Sequence, residues 1–341
     1  MIEIASENSR ATIQDLGRKG YRRYGVGTSG AMDGLALALG NILVGNDEGA
    51  AGIEIPGTPT TLRFARETRF ALTGADARAT LDGRPIPPWW TDTAGPTQSL
   101  VLNRPTDGTY TYLTVAGGID VPAILGSRST HLRGAFGGLD GRMLDKGDAL
   151  SCGIAAGAAG DAFGLTPPRL KLPLGPETAS RTINIRVLPA AEYARFTPSS
   201  REALWSANWK ITSESNRAGY RLAGPSLGLI EPLEMRSHGL VPGVIQVPHG
   251  GQPIIQLADA YTAGGYPKIG TIIEADLWRV AQAPLGSALR FVHISYDEAL
   301  TAFDALKMYR DRTRKWVSIY TEWAARQSLE AIVRRSDPRA A

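Results

Sequence analysis

The sequence holds a single cysteine, Cys152, so a disulfide within the chain is excluded and a zinc ribbon or iron–sulfur cluster has no material. Its surroundings, CGIAAGA, offer no companion for a nucleophile, and the thiol reads as a buried structural one. Histidine is almost as scarce. His131, His238, His249 and His293 include no i, i+4 pair, so no metal-ligating motif is expected. Charge of one sign is missing too. Lys plus Arg number 37 against 33 Asp plus Glu, a net +4 with the signs interspersed, which argues against a nucleic-acid partner held by phosphate neutralisation. No apolar run is long enough for a bilayer: the uncharged stretch Ala149–Gly160 is short and rich in Ala and Gly. The opening MIEIASENSR has acidic and polar residues where a signal peptide needs a basic end and an apolar stretch. A cytoplasmic location with no membrane partner is therefore expected. Catalytic signatures are absent as well. There is no GxxxxGK[ST] loop, so ATP is not expected to be bound by a motif of this chain, and neither HExxH nor a strand-borne GxGxxG occurs. Gly27-Thr-Ser29-Gly30 lacks the spacing of a nucleophile elbow.

What the sequence has in abundance is punctuation. Gly (39) and Pro (22) recur between short runs such as Thr68–Thr73, Thr109–Val115, Arg181–Leu188, Pro253–Ala258 and Ala288–Ser295. Many short strands with frequent turns predict a mainly β chain, and few runs carry the helical pattern that a parallel βαβ sheet needs. Two helices stand out. Met32, Leu35, Leu39 and Leu43 recur at helical spacing, with Gly45 placed to end the helix. Ser295-Tyr-Asp-Glu298 reads as a capping box, and from there to about Val333 there is neither Pro nor Gly. Trp316, Tyr320 and Trp323 form one stripe of that second helix and are expected to be buried. Four prolines between Leu165 and Ser180 mark an extended linker. The division is thus a β-rich unit at 1–165, a linker at 166–180, a second β unit at 181–295 and a helical tail at 296–341. An echo between GRKGYRRY (17–24) and NRAGYRL (216–222) hints at internal duplication.

Three dense, polar, Gly-rich segments remain: Gln14–Gly20 continued to Asp33, Gly134–Arg142, and Ile245–Gln252 leading through a strand to Asp259–Lys268. Each alone reads equally well as a set of tight turns. The third crowds Gln246, Gln252, Asp259, Thr262, Tyr266 and Lys268 around one apolar strand. There, adjacent Gly264 and Gly265 could turn two backbone N–H groups toward a carboxylate or enolate.

The runs QDLGRKGYRRYGVGTSGAMD, GNILVGN, ALTGADA, GGLDGRML, NRAGYRLAGP and VPGVIQVPHGGQPIIQLADAYTAGGYPKIG resemble the biotin-dependent carboxyltransferase family, in order across residues 1–295. That family includes the C subunit of bacterial 5-oxoprolinase, the allophanate hydrolase subunit 2 proteins, and subdomains A and B of the urea carboxylase carboxyltransferase. The resemblance implies two cyclophilin-like β-barrel units with few helices. It implies one component of an ATP-dependent amidohydrolase complex acting on a small amide or lactam, active with companion subunits. Those companions would be an allophanate hydrolase subunit 1-like protein and, in the 5-oxoprolinase version, a LamB/YcsF-like subunit and a biotin carrier protein. Biotin would arrive on another polypeptide, because the nearest match to a carrier hairpin, Leu306-Lys307-Met308, falls inside a predicted helix. ATP would be used by the complex. The alternative is a non-catalytic regulatory or binding subunit, of the kind described as antagonists of a kinase inhibitor.

On this reading Asp259 is the base or a base-orienting carboxylate, and Lys268 the cation that holds the carboxyl group. Gln246 and Gln252 are hydrogen-bonding walls beside Thr262 and Tyr266, and Gly264 and Gly265 supply backbone donors. Gln14, Asp15, Arg18 and Asp33 are further substrate-binding candidates. The sequence departs from the family pattern at QVPHGGQP (QVPPDGQP expected), at Tyr261 (Gln expected), at Ser237-His238-Gly239 (SEG expected) and at Arg217-Ala218-Gly219 (RMG expected). The departures predict a poor 5-oxoprolinase that works best on a different amide or lactam. A prolyl isomerase is not expected, since no Arg–Phe–His cluster is legible in the linear sequence.

Overall fold

The computed structural model describes residues 1–155, 162–168 and 182–336, with side chains as far as Gln327. The chain is mainly β. In the first half the short strands gather into two sheets. One runs in the order Ala149–Leu150, Ile2–Ile4, Thr60–Phe64, Ser99–Leu102, Thr80–Leu81, Arg84–Pro85. The other runs Thr12–Gln14, Gly52–Pro56, Tyr110–Val115, Thr68–Gly74, Trp90–Ala94. Ile2, Ile4, Phe64 and Leu100 of the first sheet meet Ile13, Ile53, Phe70 and Leu113 of the second in one core. Side chains alternate along a strand, so Glu54 and Tyr112, between those core residues, face the opposite way.

The second half closes into a barrel of seven strands: Thr182–Pro189, Lys268–Ile272, Val244–Gln246, Ile254–Gln256, Gly219–Ala223, Trp209–Ile211 and Ala288–His293. Its seam pairs the first and last of these in parallel, Thr182 opposite Ala288 through Val187 opposite His293. The lumen is filled. Ile183, Ile185, Val187, Tyr220, Ile245, Ile255, Leu289 and Phe291 are all buried in it, and Trp209 stacks on Phe291 at 6.3 Å. A barrel of this size holds side chains rather than a ligand, which sends any site to its outer face or ends.

Helix α1 (Gly34–Leu43) lies on the second sheet, with every residue after Gly34 buried. Asp33 caps it, and Gly45 follows at φ 79° with its N–H on the Ile42 carbonyl, the left-handed stop that the sequence predicts. Gly40 permits the close approach, because a Cβ there would sit 2.9 Å from both the Thr73 and Thr114 hydroxyls. Helices α2 (Pro198–Ser206) and α3 (Leu277–Gln282) are short. Helix α4 (Tyr296–Ser336) is continuous and begins with the capping box, Ser295 N–H to Glu298 Oε2 at 2.6 Å and Glu298 N–H to Ser295 Oγ at 3.2 Å.

Two expectations need adjustment, and a third falls largely outside the described residues. The aromatic stripe of α4 is not buried: Tyr320 meets Phe163 at 4.5 Å, but Trp316 is 67% and Trp323 54% exposed. The helix is held instead by Ala302, Leu306, Tyr309 and Val317, which leaves the Trp side outward. Cys152 is half-buried, at an isolated bridge to Ile119. Of the proline-rich segment 166–180 only 166–168 are described, so Pro173 and Pro176 lie outside the described residues.

Candidate functional site

The halves meet through buried charge. Arg217, just before the strand Gly219–Ala223, donates from Nε to Asp259 Oδ2 at 2.8 Å and from Nη2 to Asp259 Oδ1 at 3.3 Å. Its Nη2 also reaches the Gly30 carbonyl at 2.6 Å, and its Nη1 pairs with Glu54 of the first half. Glu54 in turn accepts from the Tyr112 hydroxyl at 2.7 Å and the Met32 N–H at 2.8 Å. Burial alone would loosen the Arg217 proton, but the carboxylates of Glu54 and Asp259 outweigh it and raise the group above its ordinary range.

Asp33 extends this network. It is 1% exposed, caps α1 through Ala36 N–H at 2.9 Å, and accepts from Gln282 Nε2 of α3 at 2.8 Å. Burial pushes its carboxyl up to about 6, against the lowering effect of the Ala36 and Gln282 donors and with help from nearby Glu54. An unfolded aspartate ionises near 4. The stability linked to Asp33 is therefore complete below about pH 4 and lost as pH rises through about 6. Asp33→Asn keeps a capping oxygen and removes the titration. From pH 4 to 7 the wild type should lose about 2–3 kcal/mol relative to the variant, read from urea midpoints. Parallel pH curves for the two proteins would refute this.

On the barrel's outer face Gln246 and Gln256 are buried side by side, Gln256 Nε2 donating to Gln246 Oε1 at 3.1 Å. Gln246 Nε2 donates to the Tyr266 carbonyl at 3.2 Å, and Lys268 faces Gln246 across the strands where the register slips. Over them lies a small ribbon, His238–Gly239 paired with Ala263–Gly264. A Cβ on Gly264 would lie 2.9 Å from Leu240 Cδ1, and one on Gly265 2.9 Å from the Met235 carbonyl, so both glycines allow the ribbon to sit close. The His238 ring holds the Arg236 carbonyl at 3.0 Å through Nδ1. A carbonyl only accepts, so Nδ1 carries a proton, and Nε2 is buried with no partner among the described residues. His249 meets the Tyr266 ring edge-on at 5.9 Å. The first half reaches this rim through Arg22, which donates to the Leu240 and Tyr261 carbonyls, and Arg133, whose guanidinium lies 3.9 Å from the Tyr261 ring centre.

The sequence candidates thus fall into groups. Gln246, Gly264, Gly265, Tyr266 and Lys268 are brought together, with the half-buried Thr262 on the same loop. Asp259 is adjoining and tied to Arg217, and Asp33 joins through Tyr112 and Glu54. Gln252 stands apart, exposed, holding both backbone groups of Gly224. Gln14, at the end of the strand Thr12–Gln14, and Asp15 and Arg18, in the loop after it, are buried within the first half. Gln14 binds Thr12 and Thr130, and Asp15 takes the Ser127 and Ser129 hydroxyls and the Gly17 and Arg128 N–H groups. Arg18 binds the Ile124 and Ser129 carbonyls. Arg18, Phe136 and His131 do stack, although the linear sequence gives no sign of it, but the Arg18 side chain is wholly buried. Sequence reasoning missed Glu54, Tyr112, Gln282, Arg217 and His238 as site residues. The lone Glu in the apolar run GIEIP was the available signal for the first.

The family model described as carboxyltransferase domain, subdomain A and B, matches residues 24–293. The C subunit of the Escherichia coli 5-oxoprolinase is 44% identical over 302 residues, 89% of this chain and 94% of that protein. That of Haemophilus influenzae is 43% identical over 317 residues, 93% and 99% of the two chains. The urea amidolyase of Saccharomyces cerevisiae is 34% identical, and the match spans 18% of its length. Among solved structures, the Kluyveromyces lactis urea carboxylase superposes with a TM-score of 0.83 at 29% identity, covering 92% of this chain and 29% of that one.

Proposed function

Because this chain belongs to the family of carboxyltransferase domains with subdomains A and B, we propose that it is the carboxyltransferase-type component of an ATP-dependent amidohydrolase complex of the 5-oxoprolinase kind. Its similarity to the 5-oxoprolinase C subunits from end to end of those proteins carries the reading. The substrate is a small amide or lactam. The partners are an allophanate hydrolase subunit 1-like protein, a LamB/YcsF-like subunit and a biotin carrier protein.

The groups suit a carboxylated ureido ring: one cation at Lys268 and a backbone loop at Gly264–Tyr266, backed by the buried amides of Gln246 and Gln256. Biotin, carried by another polypeptide, supplies an activated carboxyl group when bound. Lys268 holds the carboxyl charge, and the glycine loop and Thr262 border the acceptor. Asp259 orients, since both its oxygens face Arg217. Gly250, with nothing within 4 Å of its Cβ position, leaves the rim open. Tyr261 presents one face only, Arg133 covering the other.

Reconstitution with the companion proteins tests the reading. ATP consumption should rise only when this chain, its companions and a small amide or lactam (5-oxoproline and urea among those tried) are present together. Stable co-purification with a companion, without stimulation by any such compound, would favour the regulatory alternative.

A further inference from the structure

Helix α4 begins beyond the stretch that matches the carboxyltransferase family, which ends at residue 293. Its inward side is accounted for by Ala302, Leu306, Tyr309, Val317 and Tyr320. Its outward side carries Met308, Trp316, Ile319 and Trp323, exposed by 59, 67, 46 and 54%. At 100° per residue these four fall within one stripe. A contiguous apolar stripe with two half-bare indoles marks an interaction surface rather than a solvated face.

We propose that the stripe is a self-association surface, on which α4 of a second copy lies antiparallel about a two-fold axis. The charges choose the occupant and the direction. Among the exposed charges, Asp297, Glu298 and Asp304 outnumber Lys307 at the start of α4, whereas Arg312, Arg314, Lys315 and Arg326 outnumber Asp311 and Glu322 further along. A parallel pair would set the net-acidic starts side by side, while an antiparallel pair sets the net-acidic start of each copy toward the net-basic stretch of the other. Pairing centred on Trp316 brings Arg326 of each copy within about one helical turn of the other's Asp304. The four side chains offer roughly 500 Å² per copy, so the dimer buries about 1,000 Å², the lower bound for a specific contact. The isologous geometry closes on itself and does not propagate into a fibre.

Light scattering on the full chain is the test, over a concentration series up to about 100 µM, where an interface of this size should be populated. The expected mass at the top of the series is twice the 36.4 kDa of the chain. Trp316→Glu with Trp323→Glu should return it to the single-chain mass with an unchanged melting curve, since both residues are exposed. Asp304→Arg or Arg326→Asp alone should weaken the dimer, and the two together should restore it. A wild type of single-chain mass throughout, or a double Glu variant that still dimerises, overturns the proposal. A charge swap that fails to restore overturns the antiparallel arrangement.

Discussion

Replacing Arg217 with leucine is expected to lower the stability of the chain by about 3–5 kcal/mol, a large share of what a protein of this kind has in reserve. The guanidinium serves two carboxylates that water scarcely reaches, Glu54 at 2% and Asp259 at 13% side-chain exposure. Without it both charges stay buried beside one another, and Tyr112 and the Met32 N–H compensate only Glu54. Asp259 and the Gly30 carbonyl would each lose a donor. Lysine should not rescue, because one ammonium cannot span three acceptors in fork geometry. Removing the charges together, with Glu54→Gln and Asp259→Asn added to Arg217→Leu, should recover a substantial part of the loss. Urea denaturation of the four proteins reads this directly. A loss below about 1 kcal/mol for the single variant would show that the cluster is not what joins the halves.

The second large effect is on rate. Lys268→Ala in the reconstituted complex should cut carboxyl transfer by about 10²–10³-fold, the usual cost of deleting one preorganised donor from a site where charge develops. The change should leave folding nearly untouched. The Lys268 backbone N–H is fixed by Glu192 Oε2 at 3.0 Å, and its strand keeps its neighbours on both sides. Melting and turnover therefore separate, and a fall in both would point to a structural role. Near-normal turnover with intact folding would remove Lys268 from the mechanism.

What the sequence disclosed follows from range. The cap and the glycine stop of α1, the Ser295–Glu298 box and the strands around Thr68, Tyr110 and Ala288 depend on residues within a turn or two of each other, so spacing and turn chemistry were enough. The Gln246–Lys268 grouping was legible because one hairpin-like stretch holds it. Arg217 and Glu54 are 163 positions apart and Asp33 and Gln282 are 249 apart. No local pattern encodes such pairings, and the network they build was invisible in the linear chain. The Trp stripe misled for a related reason. Helical periodicity shows that a face is apolar but not whether the body of the protein is long enough to cover it, and Tyr320 is the last aromatic of that stripe to find a partner in the body.

The parallel seam of the barrel also dictates an order of assembly. Ala288–His293 is the last of the seven strands to be made, yet it alone bridges Thr182–Pro189 and Trp209–Ile211. A growing chain that has synthesised the other six holds two unpaired edges and an apolar lumen open along the missing staff. Closure waits for a contact between segments over a hundred positions apart, the kind of non-local step that is slow and exposes sticky intermediates. The moment of greatest vulnerability for this barrel thus falls after its sixth strand is made, just before the final strand is free to dock.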